Sequence, residues 1–205
     1  MRDPLKIIFM GTPDFAVATL KTLVESDYEV VGVITAPDKP AGRGRKLNES
    51  AVKKYAVAEG LTVLQPTNLK NPDFIKELEA LEANLQIVVA FRMLPEVVWK
   101  MPKYGTFNLH ASLLPNYRGA APIHWAVVNG EKVSGVTTFF IDEKIDTGAI
   151  ILQEAIAIND DETVGTLHDK LMDLGSELVI KTVDLIQEGD VATIIQPKTE
   201  DLKTA

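Results

Sequence analysis

The densest run of chemistry-bearing residues in the sequence is Phe107-Asn108-Leu109-His110, continued by Ala111-Ser112-Leu113-Leu114-Pro115. On a strand, side chains two residues apart emerge on one face, so Asn108 and His110 stand side by side while Phe107 and Leu109 turn the other way. An asparagine amide donates hydrogen bonds, and a protonated imidazole donates from either nitrogen. The pair is therefore equipped to stabilise a developing oxyanion, which implies a carbonyl substrate. Taken alone, an Asn-x-His pair reads more simply as a strand end beside a satisfied histidine.

A second polar cluster, Asp142-Glu143-Lys144-Ile145-Asp146-Thr147-Gly148, changes that balance. Asp-Thr-Gly by itself is an ordinary turn. An Asp146 within reach of His110, however, would favour the imidazolium and could take a proton from an attacking amine, directly or through water. The predicted chemistry is acyl transfer through a tetrahedral intermediate. No enzyme nucleophile stands out: Ser112 lacks a Gly-x-Ser-x-Gly setting, and the chain contains no cysteine. The three histidines, His110, His124 and His168, have no metal-ligand spacing, so no metal is expected, and His168 flanks a helical apolar stripe as a structural residue would.

The elements that must position these groups follow from the alternation of β-branched runs with amphipathic stretches, which predicts an α/β fold with a mostly parallel sheet and helices on both faces. Strands are expected at Lys6 to Met10, Tyr28 to Thr35, Leu85 to Ala90 and Gly105 to His110, with a weaker one at Thr62 to Leu64. Helices are expected at Phe15 to Ser26, Ser50 to Glu59 and Pro72 to Leu81, with shorter ones at Pro95 to Met101 and Pro122 to Asn129. Val133 to Ile141 and Ala149 to Ile158 read as adjoining strands, so the sheet should be mixed. The apolar spacing of Val164, Leu167, Leu171, Leu174 and Leu178 predicts a helix over Thr163 to Gln187. A strand at Ala192 to Gln196 should close the domain, and the polar end from Pro197 reads as a linker.

The loop Gly11-Thr12-Pro13-Asp14 sits where a helix amino terminus could bind an anion, but it lacks Gly-x-Gly-x-x-Gly, so Thr12 and Asp14 are expected to cap the helix. The 205-residue chain carries a net charge of −8, which excludes a uniformly basic nucleic-acid-binding surface. Lys39, Arg43, Arg45, Lys46, Lys53 and Lys54 nevertheless fall together, opposed within that window by Glu49 alone. Pro37 to Lys46 thus reads as a long, exposed, mobile loop suited to a phosphate backbone. No apolar stretch approaches the length of a membrane span, so a cytoplasmic protein with no membrane association is expected.

Asn-x-His, Ser-Leu-Leu-Pro, Arg118-Gly119-Ala120-Ala121-Pro122-Ile123 and Asp-Thr-Gly, in this order and spacing, closely resemble the methionyl-tRNA formyltransferases from Ile7 to about Pro197. The resemblance implies a Rossmann-like formyltransferase fold that uses 10-formyltetrahydrofolate, with Asn108, His110 and Asp146 as the catalytic set. It further implies that Ser112, Leu113, Leu114 and Pro115 line the tetrahydrofolate site and that Arg92, Met93, Leu94, Asp142, Glu143 and Ile145 surround the pterin. Lys39, Arg43, Arg45 and Lys46 would meet initiator methionyl-tRNA. Residues 1–197 would be the catalytic domain, a monomer, and 198–205 the start of a linker to a carboxy-terminal domain absent from this chain. Ala90-Phe91-Arg92-Met93-Leu94-Pro95 departs from the Ala-Tyr-Gly common in that family and is closer to glycinamide ribonucleotide formyltransferase. Two alternatives remain, a sugar-nucleotide formyltransferase with the same donor and a non-catalytic folate- or tRNA-binding module.

Overall fold

β-Branched runs bounded by glycine, proline and caps form the elements expected of them in a computed structural model that describes residues 3–41, 46–197 and 202–205. The described residues fall into two compact units, Pro4–Thr106 and the residues from Phe107 onward together with Asp3. The first runs β1 (Lys6–Gly11), α1 (Asp14–Val24), β2 (Glu29–Ile34), β3 (Lys39–Ala41), β4 (Lys46–Asn48), α2 (Ala51–Ala58), β5 (Val63–Leu64), α3 (Pro72–Ala80), β6 (Leu85–Val89) and α4 (Glu96–Trp99).

β1 pairs in parallel with β2 and with β6, and β2 pairs in parallel with β5. Strands of a parallel sheet are covered on both faces and so tolerate apolar residues at consecutive positions. Ile7, Ile8, Phe9 and Met10 are all buried, as is every residue of β6. Helix starts follow the sequence: the Ser50 hydroxyl accepts from the Lys53 amide, and the Asn71 side chain accepts from Asp73 with Pro72 in the first turn. The expected cap of α1 does not form. Pro13 occupies the cap position without a side-chain bond, and Asp14 lies in the first turn, where its charge suits the helix dipole.

The expected mobile loop over Pro37 to Lys46 is corrected by β3 and β4, which pair antiparallel with Pro40 opposite Leu47. A two-stranded ribbon tolerates proline because its outer side needs no ladder donor, and the proline, glycines and charges hide the strand pattern. Arg43 and Arg45 lie outside the described residues.

The second unit contains β7 (Thr106–His110, entered at Phe107), α5 (Pro122–Val128), β8 (Val133–Phe140), β9 (Ile150–Ala157) and α6 (Val164–Glu188). β8 pairs antiparallel with both β7 and β9, the mixed character expected. α6 begins in a reciprocal Thr163–Thr166 cap and stops at Gly189, whose φ of 88° is left-handed. Its buried stripe includes Leu167, Leu171 and Leu178. The closing strand at Ala192 to Gln196 shrinks to one bridge, Ile194 with Ile150. Ile194 and Ile195 are 67% and 84% exposed, so no buried face holds a longer pairing.

α6 reaches β7 through a glycine. A Cβ on Gly175 would lie 2.7 Å from Cδ2 of Leu109, whose side chain points away from Asn108 and His110. Gly175→Val should therefore press on the strand that carries the site and destabilise the fold by about 1–3 kcal/mol, visible as a lower urea midpoint.

Candidate functional site

The alternation of β7 places Asn108 opposite Phe139 and His110 opposite Thr137 on β8. Asn108 is half-buried, and its side-chain amide makes no hydrogen bond among the described residues. His110 is 7% exposed and tightly held. Its Nε2 lies 2.7 Å from the carbonyl oxygen of Tyr117. A carbonyl only accepts, so Nε2 carries the proton and donates. Nδ1 faces Oδ2 of Asp146 at 3.8 Å, an ion-pair distance that leaves room for a further acceptor.

Asp146 owes its place to backbone geometry. It sits at φ 55°, a left-handed conformation that aspartate accepts more readily than most residues. Its Oδ2 accepts from the Gly119 amide at 2.9 Å, and no hydrogen bond to Oδ1 forms among the described residues. Gly148 is fixed as glycine because a Cβ there would stand 1.6 Å from the carbonyl oxygen of Phe140. The second unit therefore holds His110 facing Asp146 and Asn108 two residues from His110 on the same strand, with Asn108 and His110 set by strand alternation and Asp146 by its left-handed turn.

The Ser-Leu-Leu-Pro segment is held from below. The Thr137 hydroxyl donates to Ser112 O and accepts from Leu114 N, while Gln153 Nε2 donates to Leu114 O at 2.9 Å. The Ser112 hydroxyl donates to Asn116 O at 2.7 Å and is buried, which removes it as a nucleophile. Leu114 is buried against Phe139 and Ile150, whereas Leu113 and Pro115 are half-exposed. In the next loop, the Asp142 carboxylate accepts from Lys144 N and Thr147 Oγ1, so it shapes the turn. Glu143 is exposed, and Ile145 is an exposed apolar side chain.

In the first unit, the Arg92 guanidinium donates to the Thr67 carbonyl at 3.0 Å and to Pro66 O. Met93 is exposed and Leu94 buried. Lys39 is exposed on the ribbon and Lys46 lies on β4. The basic cluster is smaller than the sequence suggests, since Lys53 pairs with Asp38 and with Glu49 at 2.8 Å. Lys53 holds the Asp38 carboxyl below its usual range.

Residues that spacing alone leaves without a role carry much of the architecture. Tyr117 and Gly119 supply the carbonyl and amide that grip His110 and Asp146. Tyr117 itself is left-handed, at φ 59°. Residues 203–205, expected as linker, bind this loop: Tyr117 N donates to Lys203 O at 2.6 Å and Ala205 N to Arg118 O at 2.9 Å. Lys203 also pairs with Glu131, which accepts from the Tyr117 hydroxyl. Lys203 is the larger cause, ahead of Tyr117, that holds the Glu131 carboxyl below its usual range, and the same pairing raises Lys203. A depressed carboxyl stabilises the contact above the ordinary carboxylate range and loses that contribution as pH falls through its lowered value. Acidification through that window should release residues 203–205 from Tyr117. Amide exchange at Tyr117, compared between wild type and Glu131→Gln, reports it, and protection that is independent of pH in wild type contradicts it.

Comparison with known proteins adds a family. A family model described as formyl transferase matches residues 5–183. The chain is 66% identical over 203 residues to a methionyl-tRNA formyltransferase of Flavobacterium johnsoniae, covering 99% of this chain and 64% of that protein. It is 61% identical over 195 residues to the one of Bacteroides fragilis, covering 95% and 60%. The chain thus spans about three fifths of the length of these curated relatives. Among solved structures, glycinamide ribonucleotide transformylase 1 of Symbiobacterium toebii superposes with a TM-score of 0.78 at 19% identity, covering 95% of each chain. An N-formyltransferase of Helicobacter canadensis, solved with folinic acid and dTDP-3-aminofucose, gives 0.72 at 24% identity, covering 98% of this chain and 70% of that one. These two likenesses establish the Rossmann-like formyltransferase fold.

Proposed function

The chain belongs to the formyl transferase family, and from that premise we propose that it transfers the formyl group of 10-formyltetrahydrofolate to the amino group of initiator methionyl-tRNA. The reading of the acceptor is supported by the curated relatives at 61–66% identity, both methionyl-tRNA formyltransferases. The reading of the chemistry is carried by one observation: an asparagine amide with no hydrogen bond among the described residues, beside a histidine whose far nitrogen is already committed to a carbonyl.

The donor supplies an activated formyl carbon. The amine lone pair forms the new carbon–nitrogen bond while the carbonyl π pair moves to oxygen, where Asn108 Nδ2 and His110 Nδ1 donate to it. Because Nε2 donates to Tyr117, donation from Nδ1 requires the imidazolium, and the Asp146 carboxylate compensates that charge. Oδ2 of Asp146 is engaged by Gly119, so Oδ1 is the oxygen that takes the proton shed by the amine. The oxyanion pair then re-forms the carbonyl, the bond to the donor nitrogen breaks, and that nitrogen leaves with the proton that Asp146 had taken from the amine, which returns the carboxylate. No covalent enzyme intermediate is needed.

Ser112 to Pro115 are assigned to the tetrahydrofolate, and Arg92, Met93, Leu94, Asp142, Glu143 and Ile145 to its pterin. The exposure of Met93 and Ile145 supports apolar stacking, whereas the burial of Ser112 and Leu114 makes them supports of the wall. Lys39, Arg43, Arg45 and Lys46 are assigned to tRNA phosphates. The reading takes residues 1–197 as the catalytic domain, working as a monomer in the cytoplasm. No helix among the described residues is long and apolar enough to cross a membrane.

A transfer assay offering methionyl-tRNA and amino-sugar nucleotides in parallel tests the acceptor, and preference for the sugar overturns it. Asn108→Ala, His110→Ala and Asp146→Ala should each lower the single-turnover rate by roughly 100- to 1,000-fold with little change in folate affinity. Near-normal rates in all three would remove the mechanism. Arg43→Ala or Arg45→Ala should weaken tRNA binding and reduce the logarithmic salt slope by about 0.7–0.9 per lost phosphate contact. Folate binding should be unchanged in both.

A further inference from the structure

Gln196 lies beyond the segment that matches the family model, in a stretch whose neighbours Ile194 and Ile195 are exposed, yet its own side chain is only 5% exposed. Its amide oxygen accepts from Arg118 Nε at 3.2 Å and Nη2 at 2.6 Å. Its amide nitrogen donates to the carbonyls of Asp146 at 3.0 Å and Gly148 at 2.8 Å. An amide offers two acceptor sites and two hydrogens, so every polar capacity of this side chain is spent. All four bonds go to two short segments, and those segments are joined directly where Gly119 N donates to Asp146 Oδ2.

We infer that Gln196 is a positioning residue which, without touching substrate, fixes both ends of the Gly119–Asp146 hydrogen bond and so aims the Asp146 carboxylate at His110. Its two donated bonds pin the Asp146–Thr147 and Gly148–Ala149 peptide planes, which constrains the direction of the Asp146 Cα–Cβ bond in a conformation that costs energy to hold. Its two accepted bonds hold Arg118, whose following residue supplies the amide. A ring of contacts closes through Gln196, Arg118, Gly119 and Asp146.

The inference rests on the catalytic role proposed for Asp146, so its test has one arm that does not depend on activity. Gln196→Glu keeps the size and the pairing with Arg118 but turns carboxylate oxygen toward the carbonyls of Asp146 and Gly148. Gln196→Leu keeps most of the volume and removes every polar contact. In Gln196→Glu, amide exchange at Gly119 should quicken by about tenfold or more while exchange in β8 and α6 is unchanged. The kcat for formyl transfer should fall by roughly 10- to 100-fold, as for a misaimed group, with the donor KM nearly constant. Gln196→Leu should behave the same way where it folds, and Gln196→Glu decides alone where it does not. Unchanged Gly119 protection, or a kcat within about twofold of wild type at equal folded fraction, overturns the assignment. A wild-type chain that transfers no formyl group defeats the proposed function instead, and the exchange arm then decides on Gln196 by itself.

Discussion

A backbone carbonyl can only accept, and the carbonyl of Tyr117 facing His110 Nε2 therefore fixes which nitrogen of that ring is committed and which is available. The contacts that hold Tyr117 serve that constraint. The carbonyl points at the ring because Tyr117 takes a left-handed conformation that a bulky side chain resists. The strain is opposed by contacts on every polar group of Tyr117: its amide to Lys203 O, its hydroxyl to Glu131, and Asn129 Nδ2 to the same hydroxyl at 2.9 Å. Burial is the larger cause, ahead of Glu131, that keeps the phenol protonated to higher pH, so it remains a donor throughout the ordinary range.

The two units meet different demands with different strand pairings. Parallel pairing in the first gives runs such as Ile7 to Met10 that are buried on both faces and leave no side chain for chemistry within the strand. What remains usable there is at the strand ends and on the β3–β4 ribbon, which carries cation-rich sequence on a chain of net charge −8. Antiparallel pairing in the second unit gives β7 a face that need not be wholly apolar. Phe107 and Leu109 fill the core side, Leu109 beneath Gly175, and the other face is released to Asn108 and His110.

Sequence pattern made the main elements legible because their signals are local. β-Branched runs located the strands, and the helices expected from Ser50, Pro72 and Thr163 begin at side-chain caps on Ser50, Asn71 and Thr163. It also placed Asn108 and His110 together, since two residues on one strand share a face whatever the tertiary structure. Where it fell short, the deciding bonds were either non-local or made by the main chain. The cap on α1 failed because Pro13 took the position. The basic window lost Lys53 to Asp38, which lies one residue before that window begins. The role of Gln196 depends on partners 78 and 50 residues away, a separation no local pattern encodes.

The same distinction explains why the site can be strained and still ordered. Asp146 and Tyr117 both hold positive φ, and each such residue costs on the order of 1–3 kcal/mol against a relaxed backbone. Neighbouring glycines make room for that geometry without adding strain of their own. At Gly119, with φ of 117°, a Cβ would meet Ala205 O at 2.5 Å, and at Gly148 it would overlap the carbonyl of Phe140. The glycines let two backbone segments approach closely enough for an amide, a carbonyl and a carboxylate to be aimed by main-chain bonds. A carboxylate aimed in this way needs little reorganisation when charge develops on a substrate oxygen, and preorganisation of that kind is what makes a short loop of ordinary residues useful for catalysis.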